Sequence, residues 1–210
     1  MALKALMFWR RPPPVLTLED LVSFTETRAK FVSQTSLFGY VRTRAGTRYA
    51  SLMEDDIFAN SVNIAKWEIY LACLCDLATF TAARVGRHTS VDVDVIRQMA
   101  VHIVDSATRN EEVPAERPQG FEDVRANFAD QAKTIIWAEN ETGEAAFQSS
   151  LSALVEWAPI ADELKINDVE IVKNSMRFKW KSVRDQFETL LDADAVLADW
   201  HEQDRLRLEN

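Results

Sequence analysis

The stretch Ile57-Phe-Ala-Asn-Ser-Val-Asn-Ile-Ala-Lys-Trp-Glu-Ile-Tyr-Leu-Ala-Cys-Leu-Cys-Asp-Leu-Ala-Thr-Phe-Thr-Ala-Ala-Arg-Val85 runs for 29 residues without a glycine or proline. Its middle, Ile69 to Cys75, is apolar nearly all round. A helix of that character must be covered on several sides, so it predicts the central element of an all-α bundle. Glu54, Asp55 and Asp56 stand just before it and suit the positive end of a helix dipole. Gly86 follows it and reads as its end.

Outward from this helix the same period recurs. On the N-terminal side, Thr17-Leu-Glu-Asp20 has the Ser/Thr-x-x-acid form of a capping box. Leu18, Leu21, Val22, Phe24, Phe31, Val32, Leu37, Phe38, Tyr40 and Val41 continue at helical spacing, with Gly39 as a weak point and Gly46 as the end. On the C-terminal side, Thr89, Ser90 and Asp92 predict a helix start. Val91-Asp-Val-Asp-Val95 alternates like a strand, but its acids fall in a first turn and Val93, Ile96, Ala100, Ile103 and Val104 keep 3–4 spacing. Residues 110–120 hold Pro114 and Pro118 and form the longest internal linker, the natural boundary if the body has two parts. Helices are expected from about Phe121 to Glu139 and from Gly143 to Glu156, then an interruption at Trp157-Ala-Pro159. Asn167-Asp-Val-Glu170 reads as a second capping box. It opens a helix whose Val169, Val172, Met176, Trp180, Val183, Phe187 and Leu190 share one stripe. A last, charged helix spans about Val196 to Leu208. The fold class expected is therefore all-α, a bundle of about six or seven helices around 57–85, with an N-terminal arm at 1–16 and one domain at 17–210.

The chain has 210 residues, enough for a core without staples. Five glycines and six prolines mean few turns. The only cysteines, Cys73 and Cys75, point in different directions on a helix, so reduced core thiols in a cytoplasmic protein are expected rather than a disulfide. A net charge of −9 gives no bulk attraction to nucleic acid, and none is expected as a partner.

Most reactive motifs are missing. The residues three before His88, His102 and His201 are Val85, Met99 and Ala198, so the Glu-x-x-His of di-iron bundles is absent. Cys73-x-Cys75 lacks zinc spacing and a second pair. There is no Gly-x-Ser-x-Gly elbow, Gly-x-Gly or Walker sequence. No metal, cofactor or catalytic residue is expected. Glu68 and Asp76 lie on the apolar helix and must find partners or protonate; a structural pair, with Lys66 for Glu68, is the simpler expectation.

Charge segregation is the most unusual feature. Three segments of this acidic chain are basic: Lys4, Arg10 and Arg11; Arg42, Arg44 and Arg48, flanked by Tyr40 and Tyr49; and Lys173, Arg177, Lys179, Lys181 and Arg184, with no acid between Ile171 and Arg184. One reading is that these are helix faces paired with acidic neighbours. The other is a surface for anionic lipid, phosphate or an acidic partner, since a guanidinium beside aromatic rings suits such contacts. At the N-terminus, Leu3, Leu6, Met7, Phe8 and Trp9 with Lys4, Arg10 and Arg11 could lie at a membrane interface. That run is too short to span a bilayer. A packed or loose arm is the other reading.

Leu37-Phe-Gly-Tyr-Val-Arg-Thr-Arg-Ala-Gly-Thr-Arg-Tyr49, with Glu54-Asp-Asp56 and Ile64-Ala-Lys-Trp67, resembles an uncharacterised family of small helical proteins from alphaproteobacteria, some of which carry an esterase label. The resemblance covers roughly residues 15–110. It implies no established activity and no catalytic residue. The expectation is a non-enzymatic adaptor or assembly factor with a protein partner, in the cytoplasm or on the inner face of the membrane. Two alternatives stay open. One is a helical enzyme or small-ligand binder whose Arg42, Arg44 and Arg48 converge on an anionic group beside Glu54 or Asp55. The other is a constitutive subunit of a larger complex.

Overall fold

The computed structural model describes residues 13–109, 111–143 and 145–208. The predicted arm segment Met1–Arg11 lies outside them. The architecture is all-α, in the order α1 (Leu18–Ala45), a 3-10 turn (Gly46–Arg48), α2 (Tyr49–Met53), α3 (Asp56–Thr89), α4 (Val93–Arg109), α5 (Glu122–Gln131), α6 (Trp137–Asn140), α7 (Gln148–Trp157), α8 (Asp162–Leu190) and α9 (Ala193–Leu208). Seven of these helices have ten or more residues, and α2 and α6 are single turns.

The first helix starts where its capping box directs. The Thr17 hydroxyl accepts from the Asp20 amide and the Asp20 carboxylate accepts from the Thr17 amide, satisfying two free donors of the first turn. Gly46, at φ 55°, ends it in a conformation that L side chains avoid. Asp55 caps α3 by accepting from the Phe58 amide.

Helix α3 is the axis of the bundle and packs against α1, α4, α7 and α9. Ala65, Ile69, Cys73, Leu74, Leu77, Ala78, Ala82 and Val85 on it are all sealed from solvent. It is long and apolar enough to cross a membrane by composition, but 83% of that window is buried inside the bundle. Its apolar surface is thus spent on neighbouring helices.

The helix does not end at Gly86. It continues to Thr89 and stops at Ser90, in the left-handed region at φ 52°. Gly86 has a packing role: a β-carbon there would lie 2.6 Å from Cγ1 of Ile96, so the missing side chain lets α4 cross close to α3.

Rings tie the remaining elements to this axis. Phe187 of α8 meets Phe24 of α1 at 5.1 Å and Phe80 of α3 at 5.9 Å. Phe80 meets Phe147, which stacks on Trp180 at 4.4 Å. The Trp180 indole donates to the Ser150 hydroxyl at 3.1 Å, so the largest buried ring also has its polar atom satisfied. The stripe read for α8 faces inward: Val172, Met176, Trp180, Val183 and Phe187 are all buried.

Four further expectations need correction. The helix placed at 121–139 breaks after Gln131, ahead of the β-branched run Thr134, Ile135 and Ile136, which disfavours helix, and resumes only for the turn Trp137–Asn140. The helix placed from Gly143 starts at Gln148, because Gly143 adopts φ 77° and the space a β-carbon would fill there is taken by Arg184 and Phe80. Asn167-Asp-Val-Glu170 caps nothing: α8 begins at Asp162, and Asp168 is buried in its second turn. Glu68 pairs not with Lys66 but with the buried Arg117 of the 110–120 linker at 2.8 Å, while Lys66 sits over the Trp67 ring at 5.3 Å. Arg117 also meets Asp123, so this linker is pinned to α3 and α5.

The described start of the chain is held as well. Val15, placed by sequence in the arm, is buried and forms an isolated parallel bridge with Leu191. Its amide donates to Leu190 at 2.8 Å and its carbonyl accepts from Asp192 at 3.0 Å. The Leu18 amide, left free by helix geometry, donates to the Asp199 carboxylate of α9 at 2.8 Å.

Candidate functional site: a groove between α1 and α8

The second half of α1 and the first half of α8 run antiparallel and leave a groove of about 330 Å3, floored by Leu154 of α7 and Val172 of α8. The helix rise sets its length. It spans roughly 12 Å from Arg44 back to Ser36 on α1, and roughly 16 Å from Asp168 forward to Lys179 on α8.

One end is closed by charge. Arg44 forms a two-pronged pair with Asp168 through Nε and Nη2, and the Tyr40 hydroxyl donates to the same carboxylate at 2.9 Å. Arginine's planar fork fits a carboxylate in this way. The Arg44 guanidinium and then the Tyr40 hydroxyl hold the Asp168 carboxyl below the usual carboxylate range, against the effect of burial. Burial, together with the Asp168 charge, pushes the Tyr40 phenol up to about 12. Asp168 is therefore an anion and Tyr40 a neutral donor at neutral pH.

The other end is closed by Lys179, whose ammonium donates to the Ser175 hydroxyl at 3.2 Å. Lys179 has no carboxylate partner among the described residues, and burial alone lowers its pKa. Beside it Ser36 is only 5% exposed, and its hydroxyl has no partner. Its neighbours Ser33 and Thr35 return their hydroxyls to carbonyls of the preceding turn. Between the two ends α1 carries Gly39, where an added β-carbon would meet nothing within 4 Å.

The predicted arginine cluster is therefore divided. Arg44 enters the groove and its partner is Asp168, not Glu54 or Asp55. Arg42 and Arg48 are exposed and carry no ion pair among the described residues, and Tyr49 packs on the core. The arginines do not converge on one pocket. The basic residues of α8 divide too. Lys179 faces the groove. Lys173 does not line it, Arg177 donates to Asn174 at 2.7 Å, Lys181 pairs with Asp185 at 2.8 Å and Arg184 donates to the Thr142 carbonyl at 2.5 Å. The proposed membrane-contact residues, Leu3, Lys4, Leu6, Met7, Phe8, Trp9, Arg10 and Arg11, all fall outside the described residues.

Elsewhere in the core Asp76 of α3 accepts from the Ser150 amide at 2.7 Å and so caps α7 from another helix. Burial raises its pKa to about 7, although hydrogen bonds from Ser150 and Ser149 pull it back. Cys73 and Cys75 are free thiols, and burial pushes both well up, so neither is a reactive thiolate at neutral pH.

Sequence reasoning missed Ser36, Gly39 and Asp168. A signal was present: Ser36, Gly39 and Thr43 are small residues at helical spacing on one face of α1, which marks a place where something approaches the backbone closely.

The described residues thus form an all-α bundle with an amphipathic groove between two long helices. No protein-family model matches the chain, nor does any curated protein or solved structure.

Proposed function

We propose that this protein is a non-enzymatic helical adaptor that docks an acidic amphipathic helix of a partner protein on the outward face of α8. The observation that carries this is the exposure of Ile171 and Phe178, 71% and 76% accessible, one heptad apart on a helix whose opposite face is fully used in the core. Leu164, a further heptad back, extends the row. Large side chains in a row on a long helix match the anchors of helix-in-groove recognition.

The charge around the row selects the partner. Lys173, Arg177, Lys179 and Lys181 lie in the same stretch of chain as Phe178, and no acid occurs from Ile171 to Arg184. A partner helix with apolar anchors flanked by Asp or Glu would gain both burial and steering from this face. A second copy of the chain is the competing occupant, and an anionic membrane is another.

The test is site-specific photo-crosslinking from position 178 in the organism that makes the protein. Position 57, where Ile57 is 81% exposed on α3, is the control. One stoichiometric partner captured from 178 and not from 57, and lost in an Ile171→Glu, Phe178→Glu double variant, supports the reading. A self-adduct, a lipid adduct, or equal capture from both positions overturns it.

A further inference from the structure

Three features of the groove have no role in the fold. Gly39 sits in the middle of a 28-residue helix, where glycine costs roughly 1 kcal/mol relative to alanine. Elsewhere in the bundle such a glycine admits a neighbour, as Gly86 admits Ile96. At Gly39 the space is empty. Ser36 places a hydroxyl out of water without an acceptor or donor, which proteins rarely tolerate unless something else completes the bond. Lys179 keeps a partly desolvated ammonium against one serine, with no carboxylate, in a protein that carries 33 acidic residues.

The three define a ligand when taken together. Arg44 and Asp168 cancel, so Lys179 leaves the groove one net positive charge. That favours a monoanion over a dianion or a cation. The anion-binding end has no carboxylate among its lining residues and offers donors: the Lys179 ammonium and the Ser36 and Ser175 hydroxyls. The middle is apolar, with Leu154, Ile171 and Val172 opposite the gap at Gly39. A groove of about 330 Å3 is the size of a small-molecule site and too small for a packed helix.

We propose that this groove is a binding site for a small monocarboxylate with an apolar body, its carboxylate held by Lys179, Ser36 and Ser175 and its chain laid past Gly39 over Leu154 and Val172. The neutral Arg44–Asp168 pair stops the far end and sets the chain length accepted. The groove shares Ile171 and Lys179 with the docking face, but Phe178 does not line it and neither Ser36 nor Gly39 belongs to the row of exposed anchors, so changes at Ser36 and Gly39 test the groove alone.

The test is isothermal titration of the full chain with hexanoate, octanoate and decanoate, each below micellar concentration, and with octylammonium. One carboxylate length should bind saturably at one site per chain, and octylammonium should not. Lys179→Met should weaken binding by about tenfold or more, through loss of a charge-assisted bond, and Ser36→Ala by less. Gly39→Leu, which fills the gap on a helix that tolerates leucine, should abolish it while circular dichroism stays unchanged. The proposal is overturned if none of the three carboxylates binds. It is equally overturned if octylammonium binds as well as octanoate, or if Lys179→Met binds like the parent.

Discussion

Asp76 and Asp168 are both buried carboxylates, and their surroundings drive them in opposite directions. Asp76 has hydrogen bonds from Ser149 and Ser150 but no cation partner among the described residues, so burial raises its pKa from 3.8 to about 7. Between those two values the folded protein holds a proton that the unfolded chain has released. Stability therefore falls with rising pH across that window, by a slope of up to about one proton. Asp76→Asn keeps an acceptor for the Ser150 amide and removes the titration. Urea unfolding of this variant from pH 4 to 8 should show a flatter profile than the parent, with equal or greater stability at pH 8. Asp168 has the opposite sign. Arg44 lowers its pKa, so its contribution is present above the ordinary carboxylate range and is lost as pH falls through the folded value, below about pH 4. In Arg44→Met that acid-side loss should shrink while the Asp76 slope persists. Neither partner was legible in the sequence. Asp168 lies 124 positions from Arg44 and in a string that imitates a capping box, and local patterns carry no information about contacts of that range.

At the scale of the element, local signals were enough where the cause was local. Thr17, Gly46 and Asp55 each act on the helix they adjoin, and the period of α8 depends on which of its own residues are apolar. The two helix glycines, Gly39 and Gly86, look alike in sequence, and only the neighbouring helix separates them. Changing each to alanine should therefore have opposite effects. Gly39→Ala gains helix propensity with no steric cost, a stabilisation of roughly 0.5–1 kcal/mol. Gly86→Ala gains the same propensity but must push Ile96, and overpacking of this kind costs roughly 1–3 kcal/mol, so the net sign is destabilising. Adding Ile96→Val should recover part of the loss. Thermal melts of the three variants check both signs. The groove escaped sequence reasoning for the same reason: two helices make it, and each contributes half a site that resembles an ordinary polar face.

For the whole molecule, the all-apolar middle of α3 announced the architecture, because such a helix must be covered on every side, and here neighbouring helices cover it. What it could not announce is how the bundle is closed. That is done by the short bridge of Val15 to Leu191 and by the bond from Leu18 to Asp199, which joins positions 181 apart. This closure fixes an order of events. On a ribosome α1 and α3 are complete long before Leu191 and Asp199 have been made, so the first turn of α1 waits, half-satisfied, for the last helix to arrive. A contact between such distant positions also forms late when the full chain refolds. Asp199→Ala should then cost about 1 kcal/mol, as loss of a helix-terminal acceptor does, and appear almost wholly as faster unfolding rather than slower folding. In pulsed hydrogen exchange the Val15 amide should be among the last to become protected.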